Sequence, residues 1–581
     1  DPESPVMARK TLTGGLEIID PETGLPLDLS GVGGGGGASV VVLAKSFIGV
    51  DSTGATDCTV ALKTAFAAIA PGTSVYFEPG IYVAAVRLTV QNTTITGTWA
   101  ATIKTPSGAT SHVNDACVRI LADGCVVEKL TLDGNKAGNP AIDDFNTGRW
   151  SDGVAIYADR ATVRYNRIKD SIGHKVIVWN ESFDPTSTPK GARTLFTIEG
   201  NHITGVGQRA SIDVASTDVT AGISNNGIIK GNIIDDMVMI VHTGYDLLIE
   251  GNVMRNIGLL GGGISVHTNS KRVLVVNNII GPCTVGISTH NFCEDIAIIG
   301  NKISSTSGLG VSVTDCTRVT VDNNQIYATG AGAPGISLQP AYGGAVRNNT
   351  ISASGNHSIN ISASSTNVLV SGNKSYSPTS YHININGAAD VIVRGNSCSG
   401  GAAGIAATTG VNTGLIIEGN DIKGTSANGV YVTAADTLIR NNSIRNAGAY
   451  AIRSHGQSSR ISGNDIRDTT GSGIYIPVVT GVSITDNHIL NSSVSAIAGI
   501  QPDTVVRRNT GYVTEAIGSA TIAYVTASIV VNHGLSTTPK SISITPRGNE
   551  FTWVSARTST TFTISRVGTS GSLVVDWQAE I

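Results

Sequence analysis

Six side chains able to grip a polar ring or move a proton stand at one repeated position, or two residues before it, in short β-branched runs. The runs are GVAIYA (153–158), KVIVWN (175–180), SIDVAS (211–216), VMIVHT (238–243), GISVHT (263–268) and GISTHN (286–291). If each is a strand, alternation turns Val154/Ile156, Val176/Val178, Ile212/Val214, Met239/Val241, Ile264/Val266 and, in a later run, Val311/Val313 inward. Tyr157, Trp179, Asp213, His242, His267 and His290 are then forced outward, with Ser265 and Ser288 beside them. Stacked, the runs set Tyr157, Trp179, Ala215, His242, His267, His290, Thr314 and Gln339 in one outward column. Exposed Trp and Tyr offer flat faces to a ring, and imidazoles offer donors to hydroxyls near their own titration range. The plainer alternative is that surface strands simply tolerate polar residues.

Asp213 is the acid most firmly outward here, with Trp179 and His242 roughly 8 Å away by pleat and strand spacing. Hydrolysis of a glycosidic bond needs two carboxyl groups, about 5–5.5 Å apart for retention and about 6.5–9.5 Å for inversion. The second would be Asp152 at a strand entrance, or Asp143, Asp144, Glu181 or Asp184 from neighbouring loops, or an acid of another chain. Taken singly, the loop acids also read as turn and cap residues. Elimination from a uronic acid instead needs a base and a group that neutralises the carboxylate. His242, His267 or Tyr157 could supply proton transfer, and Arg209 or Lys175 could hold the carboxylate. Acids abound in the loops, so the reading leans to hydrolysis. A third reading is binding without chemistry. Stacked imidazoles could share a metal, but no carboxylate or Cys completes a set, so neither a metal site nor a cofactor is expected.

What must position these side chains is a repeat. The phrase (G/N)-N-x-(I/V) recurs from Asn166 and Asn201 to Asn487 and Asn509, at spacings of 22 to 25 residues from Asn278 onward. Three short strands and three turns fill such a unit, which predicts an all-β fold, a right-handed parallel β-helix. The regular Leu frame of a leucine-rich repeat is missing, and a propeller blade needs about 40 residues. The repeated Asn is expected at a tight turn, in the left-handed backbone region, bonded along the stack as a ladder. Before the regular region the spacings lengthen to 31 (Asn135 to Asn166), 35 and 31. The extra residues, in KAGNPAIDDFNTGRW, ESFDPTSTPKGAR and STDVTAGISN, fall on neighbouring coils and could wall one groove.

Composition agrees. Gly numbers 69, aromatics are 5% and charged residues 14%, while hydrophobics still reach 40%, which excludes a disordered chain or a helical bundle. A net charge of −4 gives no bulk attraction for nucleic acid, and no long apolar run predicts a membrane span. The seven scattered cysteines read as reduced, buried thiols. Residues 1–37 form a short head ending in a Gly tract, with 1–6 a cloning remnant ahead of Met7 and no secretion signal after it. The β-helix is expected over 38–515, opened by a capping helix over about 57–70 with Thr56/Asp57 as caps. Residues 516–581 alternate apolar and polar side chains, as a separate small antiparallel β-sandwich does.

The segment from Phe47 to Ala85, with its core GVDSTGATDCT, resembles the opening of pectate-lyase-superfamily β-helices, phage tailspike depolymerases among them. VNHGLSTTPKSISITPRG and LVVDWQAE look like small C-terminal modules of phage tail proteins. The resemblance implies a homotrimer assembled with the help of the C-terminal module, and a bacterial surface polysaccharide as ligand. It further implies a place in the virion tail, reached through the N-terminal head, and neither nucleic acid nor membrane as partner. No catalytic residue transfers, because tailspikes place their active sites differently.

Overall fold

A computed structural model describes residues 7–10, 16–19, 41–108, 116–139, 152–179, 193–205, 210–215, 224–236, 238–257, 262–362, 364–409, 413–568 and 571–581. Three parallel sheets run the length of a solenoid, each strand pairing with its equivalent one coil on. Among the described residues the front sheet has seventeen strands, from Val86–Leu88 to Ile497–Ala498. The second runs from Val41–Leu43 to Val505–Arg507, and the third from Thr53–Asp57 to His488–Ser492. Most strands are three or four residues long, so each buries one or two aliphatic side chains. In the second sheet Ile198, Ile229, Ile249, Val275, Ile298 and Val321 stack coil upon coil in register, fully buried. Such stacks fill the interior with branched side chains that fit a pleated surface.

The Asn residues bond along the stack as the expected ladder, but the left-handed residue of each turn is a different one. The residue before each Asn takes the left-handed conformation: Tyr165, Gly200, Gly231, Asn277, Asn323, Asp486. That explains the Gly or Asn at the first position of the repeat phrase. The ladder Asn itself is buried and bonds along the stack. Asn278 Nδ2 and its backbone N–H both donate to Asn301 Oδ1 at 2.9 Å, and Asn301 repeats the pair to Asn324. The chain of bonds runs unbroken from Asn166 to Asn509. Asn135 is not part of it. The Leu130 N–H donates to Asn166 Oδ1, so Leu130 holds the ladder position and that coil is 36 residues long. Asn135 sits one strand later, left-handed, ahead of a short 3-10 turn.

The capping helix spans Thr59–Ala68 and buries Leu62 and Phe66. The N-cap is Cys58, one residue past the expected Thr56/Asp57 pair, and it makes no side-chain cap bond; Asp57 before it accepts the Thr59 N–H at Oδ1, 2.9 Å. At the other end two three-stranded antiparallel sheets form the expected sandwich, one of Glu515–Ile522, Leu573–Glu580 and Ser541–Pro546, the other of Ser528–Asn532, Thr561–Arg566 and Thr552–Arg557. Ile522, Val531, Phe562, Ile564 and Val575 are buried in its core. All seven cysteines are free and buried, and burial pushes the Cys117 and Cys398 thiols up to about 12. Among the described residues no helix is long and apolar enough to cross a membrane.

Candidate functional site

The front sheet carries the expected column. Val154, Ile156, Val176, Val178, Ile212, Val214, Met239, Val241, Ile264, Val266, Val311 and Val313 all point into the core. Trp179 pairs with Ala215, His242 with His267 and His267 with His290 in register. The His267 and His290 rings stack 4.6 Å apart at 8°, and His242 lies 3.7 Å from His267 at 58°. Burial, only partly opposed by Asp213, lowers His242 below its ordinary value. Burial and its two imidazole neighbours push His267 down to about 3. Both rings are therefore neutral at pH 7. Ser288 Oγ donates to Ser265 Oγ at 3.0 Å in the adjacent outward column.

Facing outward did not mean exposure. Trp179 is only 8% exposed and Asp213 6%. Trp179 packs with Ala116, Ala155, Ile177 and Ala215 in a small apolar cluster separate from the main core, and half-buried Tyr157 lies against it. Alternation decides which face a side chain takes; the neighbouring coils, apolar on their outer side here, decide whether it meets water. Arg119, one coil before Tyr157, holds its guanidinium 5.0 Å from the Tyr157 ring centre.

The centre of the site is a residue that the strand alignment passed over. His174 is buried between two carboxylates, its Nδ1 3.2 Å from Asp152 Oδ1 and its Nε2 3.1 Å from Asp213 Oδ2. Its backbone N–H also donates to Asp152 Oδ1 at 2.9 Å. Each ring nitrogen meets an acceptor, so the geometry calls for a proton on both. Burial alone would lower the imidazole, but hydrogen bonds and attraction from Asp152 and Asp213 outweigh it and raise it to about 9. Among the described residues, buried Asp213 Oδ1 has no hydrogen-bond partner. Asp152 and His174 hold equivalent positions on adjacent coils, each two residues before its first inward valine. The aligned runs began at Gly153 and Lys175, one residue too late to show the pair.

The other candidates divide. Glu181, Asp144, Asp143, Asp184 and Arg209 lie outside the described residues, as do most of the long insertions. Lys175 cannot hold a substrate carboxylate: it is fully buried, its Nζ donates to the Ser171 carbonyl, and burial lowers it to about 8. It precedes the strand Val176–Trp179, so strand alternation does not set its direction. Among the described residues no group of three His, Cys, Asp or Glu is placed to hold a metal ion.

The charged His174 makes stability depend on pH. Its folded value lies above the ordinary value of 6.5, so its contribution is complete below about pH 6.5 and is lost as pH rises through about 9. Lys175, depressed on folding, acts in the opposite sense in an overlapping range, so the difference between two proteins is the clean measure. The denaturation midpoint of the wild type, relative to His174→Gln, is expected to fall between pH 6.5 and 9.5. A constant difference would mean that His174 is not held as the cation.

A family model described as "Right handed beta helix region" matches residues 285–438 and 413–552, and one described as "Periplasmic copper-binding protein (NosD)" matches 190–352. No curated protein matches the chain. Among solved structures, the N-terminal fragment of bacteriophage Phi29 gene product 12 aligns at 13% identity over 79% of this chain and 92% of its own, with a TM-score of 0.44. PfbA, a surface adhesin of Streptococcus pneumoniae, aligns at 15% over 61% and 91%, TM-score 0.41. A hyperthermoactive exopolygalacturonase from Thermotoga maritima aligns at 13% over 60% and 87%, TM-score 0.39. With its 22-to-25-residue coils, three stacked parallel sheets and the family-model match over residues 285–552, the chain folds as a right-handed parallel β-helix.

Proposed function

We propose that the chain binds and cleaves a bacterial surface polysaccharide, by hydrolysis of a glycosidic bond. The observation that carries this reading is the Asp152–His174–Asp213 cluster at the head of the Trp179–His290 column. Asp213 has one oxygen held by the imidazolium and the other without a partner among the described residues, which suits proton transfer to or from a substrate oxygen. Asp152 Oδ1 is occupied by two donors of His174, so Asp152 is assigned to positioning. The second carboxyl group is assigned to the neighbouring insertions, with Asp144 and Glu181 the candidates. Tyr157, Trp179, His267, His290 and Arg209 are assigned to sugar binding.

A second reading, elimination on a uronic-acid polymer, is favoured by the neutral imidazoles of His242 and His267, either of which could take a proton at C5. One assay separates the readings. The protein is incubated with a panel of capsular, exopolysaccharide and O-antigen preparations, and reducing ends and absorbance near 235 nm are followed. Reducing ends alone are expected. Both signals mean elimination, and binding with neither means an adhesin.

We also assign the chain to a homotrimer in a phage tail, attached through the 1–37 head. The C-terminal sandwich supports this assignment, since a single copy leaves Ile517 79% and Phe551 70% exposed, with Val530 and Trp553 also on the surface. Light scattering is expected to give three times the chain mass; the mass of one chain would reject the assembly.

A further inference from the structure

Far down the front sheet, a second cluster stands in the same outward columns. Register carries the Asp213 column through Ile240, Ser265, Ser288, Ser312, Ser337, Asn360, Asn384 and Ala406 to Tyr431, Arg453 and Tyr475. Arg453 lies ten coils beyond Asp213, roughly 48 Å away at a strand spacing of about 4.8 Å. Its guanidinium carbon is 5.2 Å from the Tyr431 ring centre, 5.8 Å from Tyr450 and 5.9 Å from Tyr475. Tyr450 and Tyr475 stack 4.7 Å apart at 16°. His455 meets Tyr431 edge-on at 5.6 Å, and its Nε2 accepts from Arg453 Nε at 3.0 Å. That acceptor role fixes the imidazole as neutral, with its proton on Nδ1. All five side chains are half-buried, as a built platform is, and none is a loose surface tail.

Among the described arginines of these coils, Arg453 is a half-buried one without a carboxylate partner; Arg460 and Arg507, also without one, are exposed. On these coils Arg440 pairs with Glu418, Arg445 with Asp421, Arg467 with Asp465 and Arg508 with Asp486. No carboxylate among the described residues pairs with Arg453, whose recorded contacts are aromatic rings and a neutral imidazole. A planar guanidinium flanked by rings, with its two terminal nitrogens unspent, matches a planar carboxylate on a ring-shaped ligand. Tyrosine faces take the apolar face of that ring. Between the two clusters runs a band of small polar groups, with Asn384 Nδ2 donating to Asn360 Oδ1 at 2.8 Å and Asn384 Oδ1 buried without a partner among the described residues. Only an extended polymer spans both ends.

We infer that Tyr431, Tyr450, Arg453, His455 and Tyr475 form a distal binding site for a carboxylated sugar of the polysaccharide, remote from the Asp213 cluster on the same face. The inference rests on the reading of the chain as a glycan-binding protein and names its ligand class as acidic. The test is a printed array of bacterial polysaccharides, carboxylated, phosphorylated and neutral, probed with full-length Asp213→Asn to prevent cleavage. Capture of carboxylated glycans is expected, with binding at least tenfold weaker when Arg453→Ala or Tyr475→Ala is added. Addition of Arg453→Lys, which keeps the charge but not the fork, is expected to weaken it too. Thermal midpoints confirm that each variant is folded. Capture restricted to neutral or phosphorylated glycans, no capture at all, or full binding by the folded Arg453→Ala protein overturns the site. Capture of acidic glycans that the wild type leaves uncut sinks the depolymerase reading and leaves this one standing.

Discussion

Asp213→Asn is expected to lower turnover of the polysaccharide by about 10²–10⁴-fold while leaving its binding within a few-fold of wild type. The amide keeps the shape and can still accept from His174 Nε2, so the fold and the apolar cluster around Trp179 stay in place. What it removes is the oxygen to which the proposed hydrolysis assigns proton transfer. His174→Gln is expected to produce a smaller loss, because it disturbs the orientation of Asp213 without deleting it. The two variants differ in their pH profiles: Asp213→Asn is slow at every pH, whereas His174→Gln loses the alkaline limb that the raised imidazole sets near 9. Single-turnover release of reducing ends is the measurement. Wild-type rates in Asp213→Asn would move the chemistry elsewhere on the molecule.

The second large effect is on the scaffold. Asn349→Ala is expected to destabilise the solenoid by about 3–5 kcal/mol. Asn349 Nδ2 donates to the carbonyls of Val321 and Arg347 and to Asn373 Oδ1, and its Oδ1 accepts the backbone N–H and Nδ2 of Asn324. Alanine removes all of these contacts in a place no water reaches. A repeat protein couples neighbour to neighbour, so amide exchange is expected to speed up around coils 321–373 and little elsewhere. The adjacent Asn348→Gly is the control. Asn348 is exposed with φ 54°, and glycine fills the same place as Gly372 and Gly395 on the next coils, so a change of under about 0.5 kcal/mol is expected. Equal effects from the two substitutions would refute the division of labour between the left-handed residue and the ladder Asn.

Those neighbouring residues also show how far a sequence can be read. The period and the phrase (G/N)-N-x-(I/V) were legible because each coil repeats one physical demand: a residue that tolerates positive φ, then an amide that bonds upward. The in–out sense of Val176, Trp179, Val178 and Asp213 was legible because a strand has only two faces. The roles of the two turn residues were interchanged, since both positions accept Asn and only the backbone angles tell them apart. Asn135 was drawn into the count by its type alone.

The sequence by itself determined the solenoid, its opening helix, its closing sandwich and the column that faces out, because each follows from local alternation repeated at a fixed period. Tertiary structure decided what that column touches. His174 is 22 residues from Asp152 and 39 from Asp213, yet lies between them, because stacking converts one coil of chain into about 4.8 Å of space. The burial of Trp179, the withdrawal of Lys175 and the gathering of Tyr431, Tyr450 and Tyr475 about Arg453 have the same cause. Each depends on which side chains the coils above and below present, and no window along a single coil contains that information.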